Sequence, residues 1–223
     1  MRGTSIHNNF PTTLFLSPRA LTLTRKIGPS SSRELRACLV WLLETRQIKF
    51  DLASQLQEPS VQIFTGLLAS LAPLVEAQAE LYWVGSKLAA FLQPHLLDTR
   101  PLVDCLGRLM GEDPLLLEHL THTSILSSLP YGSLWGRGLA QLFLPAMLPR
   151  LWDKVVGGSV KVLVYVLGAA LYRCRHELMA AETCEQALQV ILHMKEERQE
   201  AVLSSGLDMW QEDGCPLLHG CQQ

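Results

Sequence analysis

The sequence predicts an all-α fold, and three observations carry that prediction. Apolar residues recur every three to four positions along most of the chain, the spacing that lines one face of a helix. Prolines fall near the starts and breaks of these periodic runs, where their fixed φ and missing N–H are tolerated. No segment alternates apolar and polar residues for long, and no Asn-Gly pair marks a hairpin.

Residues 1–33 stand apart. They carry Arg2, Arg19, Arg25, Lys26 and Arg33 with no acidic residue, and Pro11, Pro18 and Pro29 interrupt them. An acid-free leader with Arg and Ser is also the composition of a mitochondrial transit peptide. No amphipathic helix emerges from Ile6 to Leu23, so an irregular, disordered leader is the expectation. Ser31 and Glu34 then stand three apart before an apolar run, the spacing of a capping box. Leu35, Leu39, Leu42 and Leu43 continue that helix.

Pro59 opens the next helix, with Val61, Phe64, Leu68 and Leu71 at helical spacing. Leu81, Val84, Leu88, Phe91 and Leu92 mark a third, expected to end at Pro94. Leu102, Leu106 and Leu109 define a fourth, and Pro114 starts a short one through Leu120. Pro130, Pro145 and Pro149 punctuate the following stretch. After Gly157 and Gly158 a helix is predicted from Ser159 to about Met179. Val160, Leu163, Val164, Leu167, Leu171 and Cys174 form one stripe, and Val162, Tyr165, Val166 and Tyr172 fill the other side. A helix apolar nearly all round must be central. Thr183 and Gln186 supply a capping box for the helix of Ala187, Leu188 and Ile191. A last helix turns Val202, Leu203, Leu207 and Trp210 to the core before Gly214 and Pro216. The organisation that results is a leader (1–33), a helical domain (34–213) and a flexible tail (214–223). No self-similarity at a period of roughly 30–50 residues appears, which argues against a solenoid.

Composition narrows the function classes. With 48% hydrophobic and 18% charged residues among 223, the chain can bury a sizeable core and is not wholly disordered. A net charge of −2 from 19 basic and 21 acidic residues gives no nucleic-acid footprint. Cys38, Cys105, Cys174, Cys184, Cys215 and Cys221 show no CxxC spacing, and they read as reduced thiols of a cytosolic protein. The apolar run from Val162 to Tyr172 falls short of the ~20 residues that span a bilayer.

Catalytic and metal motifs are absent from the sequence. Glu118, His119 and His122 do not form His-Glu-x-x-His, and both histidines are expected to face solvent. Cys215, His219 and Cys221 cluster in the tail without a fourth ligand. No P-loop, G-x-G-x-x-G or G-x-S-x-G occurs. Gly157-Gly158-Ser159 before a helix offers N–H groups to an anion in principle, but reads as a helix start between packed neighbours. No cofactor is expected.

The stretch LPYGSLWGRGLAQLFLPAMLPRLWDKVVGGSVKVLVYVLGAALY, residues 129–172, is the most specific. It resembles the last core block of TBC domains, the GTPase-activating domains that act on Rab-type GTPases. The matching residues are Trp135, Leu144, Pro145, Arg150, Trp152, Asp153 and Gly158. Ala79-Glu80-Leu81-Tyr82-Trp83 resembles the acidic-aromatic helix earlier in that domain, adding Tyr82 and Trp83 to the motif. The resemblance covers roughly residues 37–216 and implies the C-terminal helical part of a TBC domain. It implies structural roles for the motif residues: Trp135 and Trp152 as anchors between helices, Arg150 and Asp153 bonding each other or nearby backbone, and Gly158 permitting a turn or close approach.

Catalytic members of the family use an Arg in I-x-x-D-x-x-R, which neutralises charge on the transferring phosphoryl group, and a Gln in Y-x-Q, which orients water. Here Ile27, Ser30 and Arg33 form only a loose counterpart of the first, with Ser30 in place of Asp. No Tyr precedes Tyr82, and Gln47 and Gln55 lack the aromatic context of the second. The resemblance therefore implies a member without catalytic residues. The DKVV-GS-K-LV run and Leu207-Asp208-Met209-Trp210 look closest to the member-seven branch, the small third subunit of the tuberous sclerosis complex. That likeness implies partnership with a hamartin coiled coil and with tuberin, support of GTP hydrolysis by Rheb, restraint of mTOR signalling, and a cytoplasmic location recruited to lysosomal or vesicle membranes. The alternative is an activator of a Rab-family GTPase with atypical catalytic residues.

Overall fold

The computed structural model describes residues 32–214, which hold helices and turns and no strand. In chain order the helices are α1 (Arg33–Glu44), α2 (Leu52–Gln55), α3 (Pro59–Leu71), α4 (Gln78–Leu97) and α5 (Arg100–Met110). They continue with α6 (Pro114–His122), α7 (Ile125–Ser128) and α8 (Tyr131–Gly136). Two 3₁₀ turns, Ala140–Leu142 and Pro145–Met147, lead into α9 (Leu148–Gly157). The remainder is α10 (Val162–Arg173), α11 (Arg175–Leu178), α12 (Cys184–Leu192) and α13 (Glu196–Glu212). The all-α expectation is met.

The helix predicted to be central is central. Every residue of α10 from Val162 to Leu171 is buried, and α10 packs along α13 and α5. The α10–α13 approach is unusually close because residue 206 is glycine: a Cβ there would stand 2.6 Å from the Val166 Cα. On the other side of the core, α4 packs against α1, α3 and α8. Leu81, Leu88 and Leu92 of α4 are buried there with Leu39, Leu42, Phe64, Leu67 and Leu68.

Local signals account for most helix ends. Pro59 and Pro114 sit at helix starts as predicted, and Asp113 caps α6 by accepting from the Leu116 N–H at 3.1 Å. The Thr183–Gln186 capping box is formed in both directions. Three boundaries differ from expectation. The cap of α1 is Ser32, whose Oγ accepts from the Leu35 N–H at 3.2 Å, one residue beyond Ser31, which lies outside the described residues. Pro94 does not end α4, which runs on to Leu97. Pro94 and Ala90 are exposed, so the carbonyl that proline leaves unbonded is on the solvent side, while Leu92 and Leu96 hold the helix to the core. The helix predicted from Ser159 to Met179 is shorter. Ser159 forms a turn, accepting from the Lys161 N–H at 3.2 Å. Cys174 leaves helical geometry at φ −97, ψ 14. The bend lets Arg175 reach Asp113, Nε to Oδ2 at 2.5 Å.

The leader through residue 31 and the tail from residue 215 lie outside the described residues, as do Ile27, Ser30, Cys215, His219 and Cys221. Among the described residues no helix is long and apolar enough to cross a membrane.

Candidate functional site: an apolar groove beside α4

An apolar concavity of about 690 Å³ lies where α1, α3 and α4 meet, with α8 as its floor. Trp41 from α1 and Phe64 from α3 make one wall, their ring centroids 4.4 Å apart at 31°. Ile63 and Leu67 of α3 face Ala89 and Leu96 of α4 across it. Gly136 closes the floor because a Cβ there would meet Ile63 Cγ2 at 2.5 Å. Leu97, at the open end, is 80% exposed.

Few polar groups line this groove, so it offers shape and apolar surface rather than acid–base chemistry. Thr45, Gln47, Ser60, Ser86 and Gln93 are the polar residues that line it. The buried Ser86 Oγ lies beside the Tyr82 phenol. Burial holds the nearby Tyr82 phenol above its usual pKa, which keeps it neutral and unsuited to act as a base.

The candidate catalytic counterparts have other employment. Gln55 is 2% exposed. Its Nε2 donates to the Gln47 carbonyl at 2.6 Å and its Oε1 accepts from the Lys49 N–H at 2.8 Å, so it clasps the loop between α1 and α2. Arg33 donates through Nη2 to the Val75 carbonyl at 2.5 Å, tying the start of α1 to the turn before α4.

The family-motif residues do not assemble into one cleft. Trp135 is fully buried and stacks on Tyr131, centroids 4.7 Å apart at 26°. Trp152 is buried against Gly138, whose φ of +59° and lack of a Cβ make room for the indole. Gly158 plays the same spatial part for Trp210, since a Cβ would stand 2.7 Å from that ring. Tyr82 is buried, whereas Trp83 is 42% exposed. Leu144 and Pro145 are exposed, and the Leu144 N–H donates to Gln199 Oε1 at 3.0 Å. Arg150 and Asp153 do not bond each other. Arg150 donates to Glu200 at 2.9 Å, reaching α13, and Asp153 pairs with adjacent Lys154 at 3.1 Å. The two stand three apart on one face of α9, yet Arg150 turns to the Glu200 carboxylate on α13 and leaves Asp153 to Lys154.

A second cleft, about 620 Å³, lies between α5, α10 and α13, lined by Cys105, Arg108, Lys161, Tyr165 and Asp213. The Tyr165 hydroxyl donates to Asp213, and burial pushes that phenol well above its usual pKa. Cations and carboxylates share this cleft, and nothing in it pairs a nucleophile with a base. Burial likewise raises the Cys38, Cys105, Cys174 and Cys184 thiols, the opposite of an activated nucleophile. His119, expected at the surface, is half-buried with its Nε2 3.0 Å from the Ala181 carbonyl. Among the described residues no three His, Cys, Asp or Glu side chains are grouped to hold a metal ion.

Sequence reasoning read Phe64 as core and did not single out Trp41, Ile63 or Leu96 as a groove. The available signal was α4, which is apolar on nearly every side and so needs cover on more than one.

No protein-family model matches the chain. Comparison with curated proteins finds TBC1 domain family member 7 from several vertebrates. The Bos taurus protein is 30% identical over 164 residues, covering 72% of this chain and 56% of the relative. The Homo sapiens protein is 28% identical over 163 residues, with the same coverage of 72% and 56%. The Danio rerio protein is 26% identical over 194 residues, covering 86% and 66%. The chain thus matches little more than half the length of the mammalian relatives.

Proposed function

From the premise that this chain is a TBC-domain protein related to TBC1 domain family member 7, we propose that it is a non-catalytic scaffold that seats a helical partner in the groove of α1, α3 and α4. The observation that carries this reading is the groove itself: Trp41, Phe64, Ile63, Leu67 and Leu96 line it, the surface into which an amphipathic helix lays its apolar face. The employment of Gln55 and Arg33 in backbone bonds supports the non-catalytic half of the proposal. A transition-state arginine must be free to meet the phosphoryl group.

In this reading the partner is a hamartin-type coiled coil, and the protein supports tuberin-dependent GTP hydrolysis by Rheb as a subunit of the tuberous sclerosis complex, at the cytoplasmic face of lysosomal or vesicle membranes. The motif residues Tyr82, Trp83, Trp135, Leu144, Pro145, Arg150, Trp152, Asp153 and Gly158 serve the scaffold rather than the reaction.

The test is binding of the full chain to a hamartin C-terminal coiled coil by calorimetry, with Ala89→Arg placed across the groove. The variant is expected to weaken binding at least tenfold while its circular dichroism matches the parent. Rab or Rheb loaded with GTP is expected to turn over no faster when the chain is added alone. Binding indifferent to the groove substitution, or hydrolysis accelerated by the chain unaided, overturns the proposal.

A further inference from the structure

A different face of α4 is built as a second interaction surface. The helix turns 100° per residue, which places Glu80, Trp83, Val84, Lys87, Phe91 and Pro94 on one stripe. All six are exposed. Trp83, Val84 and Phe91 are 42%, 44% and 43% exposed, a grouping of large apolar side chains that soluble surfaces seldom leave open. Tyr82, Ala89 and Leu96 of the groove stand more than a quarter turn from Trp83, Val84 and Phe91, while Ala90 borders both surfaces.

We propose that this stripe is the interface of a homodimer, in which α4 of one copy crosses α4 of a second copy antiparallel about a two-fold axis between Trp83 and Val84. Charge complementarity selects the occupant and the register. Neither Glu80 nor Lys87 makes an ion pair among the described residues. An axis between positions 83 and 84 sets Glu80 against the partner's Lys87 and Lys87 against the partner's Glu80, because a two-fold contact is necessarily self-complementary. The same register places Trp83 on the partner's Val84, a central aromatic anchor flanked by charges. Shifting the axis to Lys87 would oppose two lysines, so the charges also reject the neighbouring register. In this register Glu80 to Lys87 of the two helices face each other over roughly 11 Å at ~1.5 Å per residue, and Phe91 and Pro94 lie beyond the paired turns. That contact is smaller than obligate dimers bury, and it predicts a reversible dimer.

Sedimentation velocity of the full chain over a range of concentrations tests the proposal. The parent is expected to dimerise reversibly. Glu80→Lys puts like charges at both contacts and is expected to raise the dissociation constant roughly tenfold or more. The double substitution Glu80→Lys with Lys87→Glu restores opposite pairs and is expected to restore the dimer, an outcome that misfolding cannot produce. A chain monomeric at every concentration overturns the proposal. So does a dimer indifferent to Glu80→Lys but abolished by Ala89→Arg, which assigns the interface to the groove. A monomer that dimerises only when residues 2–30 are deleted also overturns it, since the chain's own leader then covers the stripe.

Discussion

Substituting alanine for glycine within a helix ordinarily stabilises a protein by about 1 kcal/mol, because the unfolded chain loses freedom. At Gly206 the structure predicts the reverse. The added Cβ would lie 2.6 Å from the Val166 Cα and 3.0 Å from its backbone nitrogen, against a comfortable carbon separation of roughly 3.5–4.0 Å. Backbone atoms cannot rotate away, so α13 has to move about 1 Å off α10 along the most extensive helix pair in the fold. Such overpacking costs roughly 1–3 kcal/mol. With relief blocked, the upper part of that range applies, and subtracting the propensity gain leaves a net loss of about 1–2 kcal/mol. For a domain of this size that is a fall in melting temperature of about 2–8 °C. Gly107 provides the control, since it lies within α5 and a Cβ there meets nothing within 4 Å. Gly107→Ala is expected to raise the melting temperature by about 1–4 °C. Thermal and urea unfolding of both variants beside the parent is the assay. Trimming the Val166 side chain should not rescue Gly206→Ala, because the nearest atom is the Val166 Cα. If Gly206→Ala melts at or above the parent, the close approach of α10 and α13 is wrong.

Two other perturbations probe the elements around the groove and the core. Gln55→Ala removes both clasps on the loop between α1 and α2. Because Gln47 and Lys49 are exposed, water replaces the lost partners, so the cost is held to about 1–2 kcal/mol, read by urea unfolding. An acid titration checks the α6–α11 junction. The Arg175 guanidinium holds the Asp113 carboxyl below its usual pKa, helped by the Leu116 N–H, and Arg198 does the same for Glu177. Carboxylates depressed in the folded state contribute stability that is present above their unfolded pKa and is lost as pH falls through the folded value. Melting temperature should therefore decline below about pH 4, and Arg175→Ala should flatten part of that decline. An identical profile for the variant would show that the pair contributes nothing.

Much of the fold is legible because burial leaves a periodic trace. The all-round apolar character of residues 162–172 required a central helix, and all of Val162–Leu171 is buried. Pro59, Pro114 and Thr183 announced helix starts through chemistry confined to a single turn. The misread boundaries depended on something outside the local window. Pro94 continues a helix because tertiary contacts at Leu92 and Leu96 outweigh one missing hydrogen bond. The chain bends at Cys174, and beyond the bend Arg175 pairs with Asp113, a partner distant in sequence. The candidate site was harder to read for the same reason. A groove is the gap between helices, set by Gly136 beneath Ile63 and by the meeting of Trp41 with Phe64, and no periodicity within one segment records the distance to another.

The residues that identify the family and the residues that form the candidate surfaces are largely different sets, and α4 shows why. A helix has room for three broad faces. One face of α4, with Leu81, Leu88 and Leu92, is fully committed to the core. A second forms the groove wall and a third carries Trp83, Val84 and Phe91 into solvent. The groove face still packs on the core through Tyr82, Ala89 and Leu96, whereas Trp83, Val84 and Phe91 on the third lower solubility without adding to it. By contrast Trp135 and Trp152 are consumed by internal packing, and substituting them would report on folding alone. Partner binding and self-association are therefore to be sought on α4 rather than on the signature of the family. The two surfaces are separable, because Ala89→Arg touches one and Glu80→Lys the other.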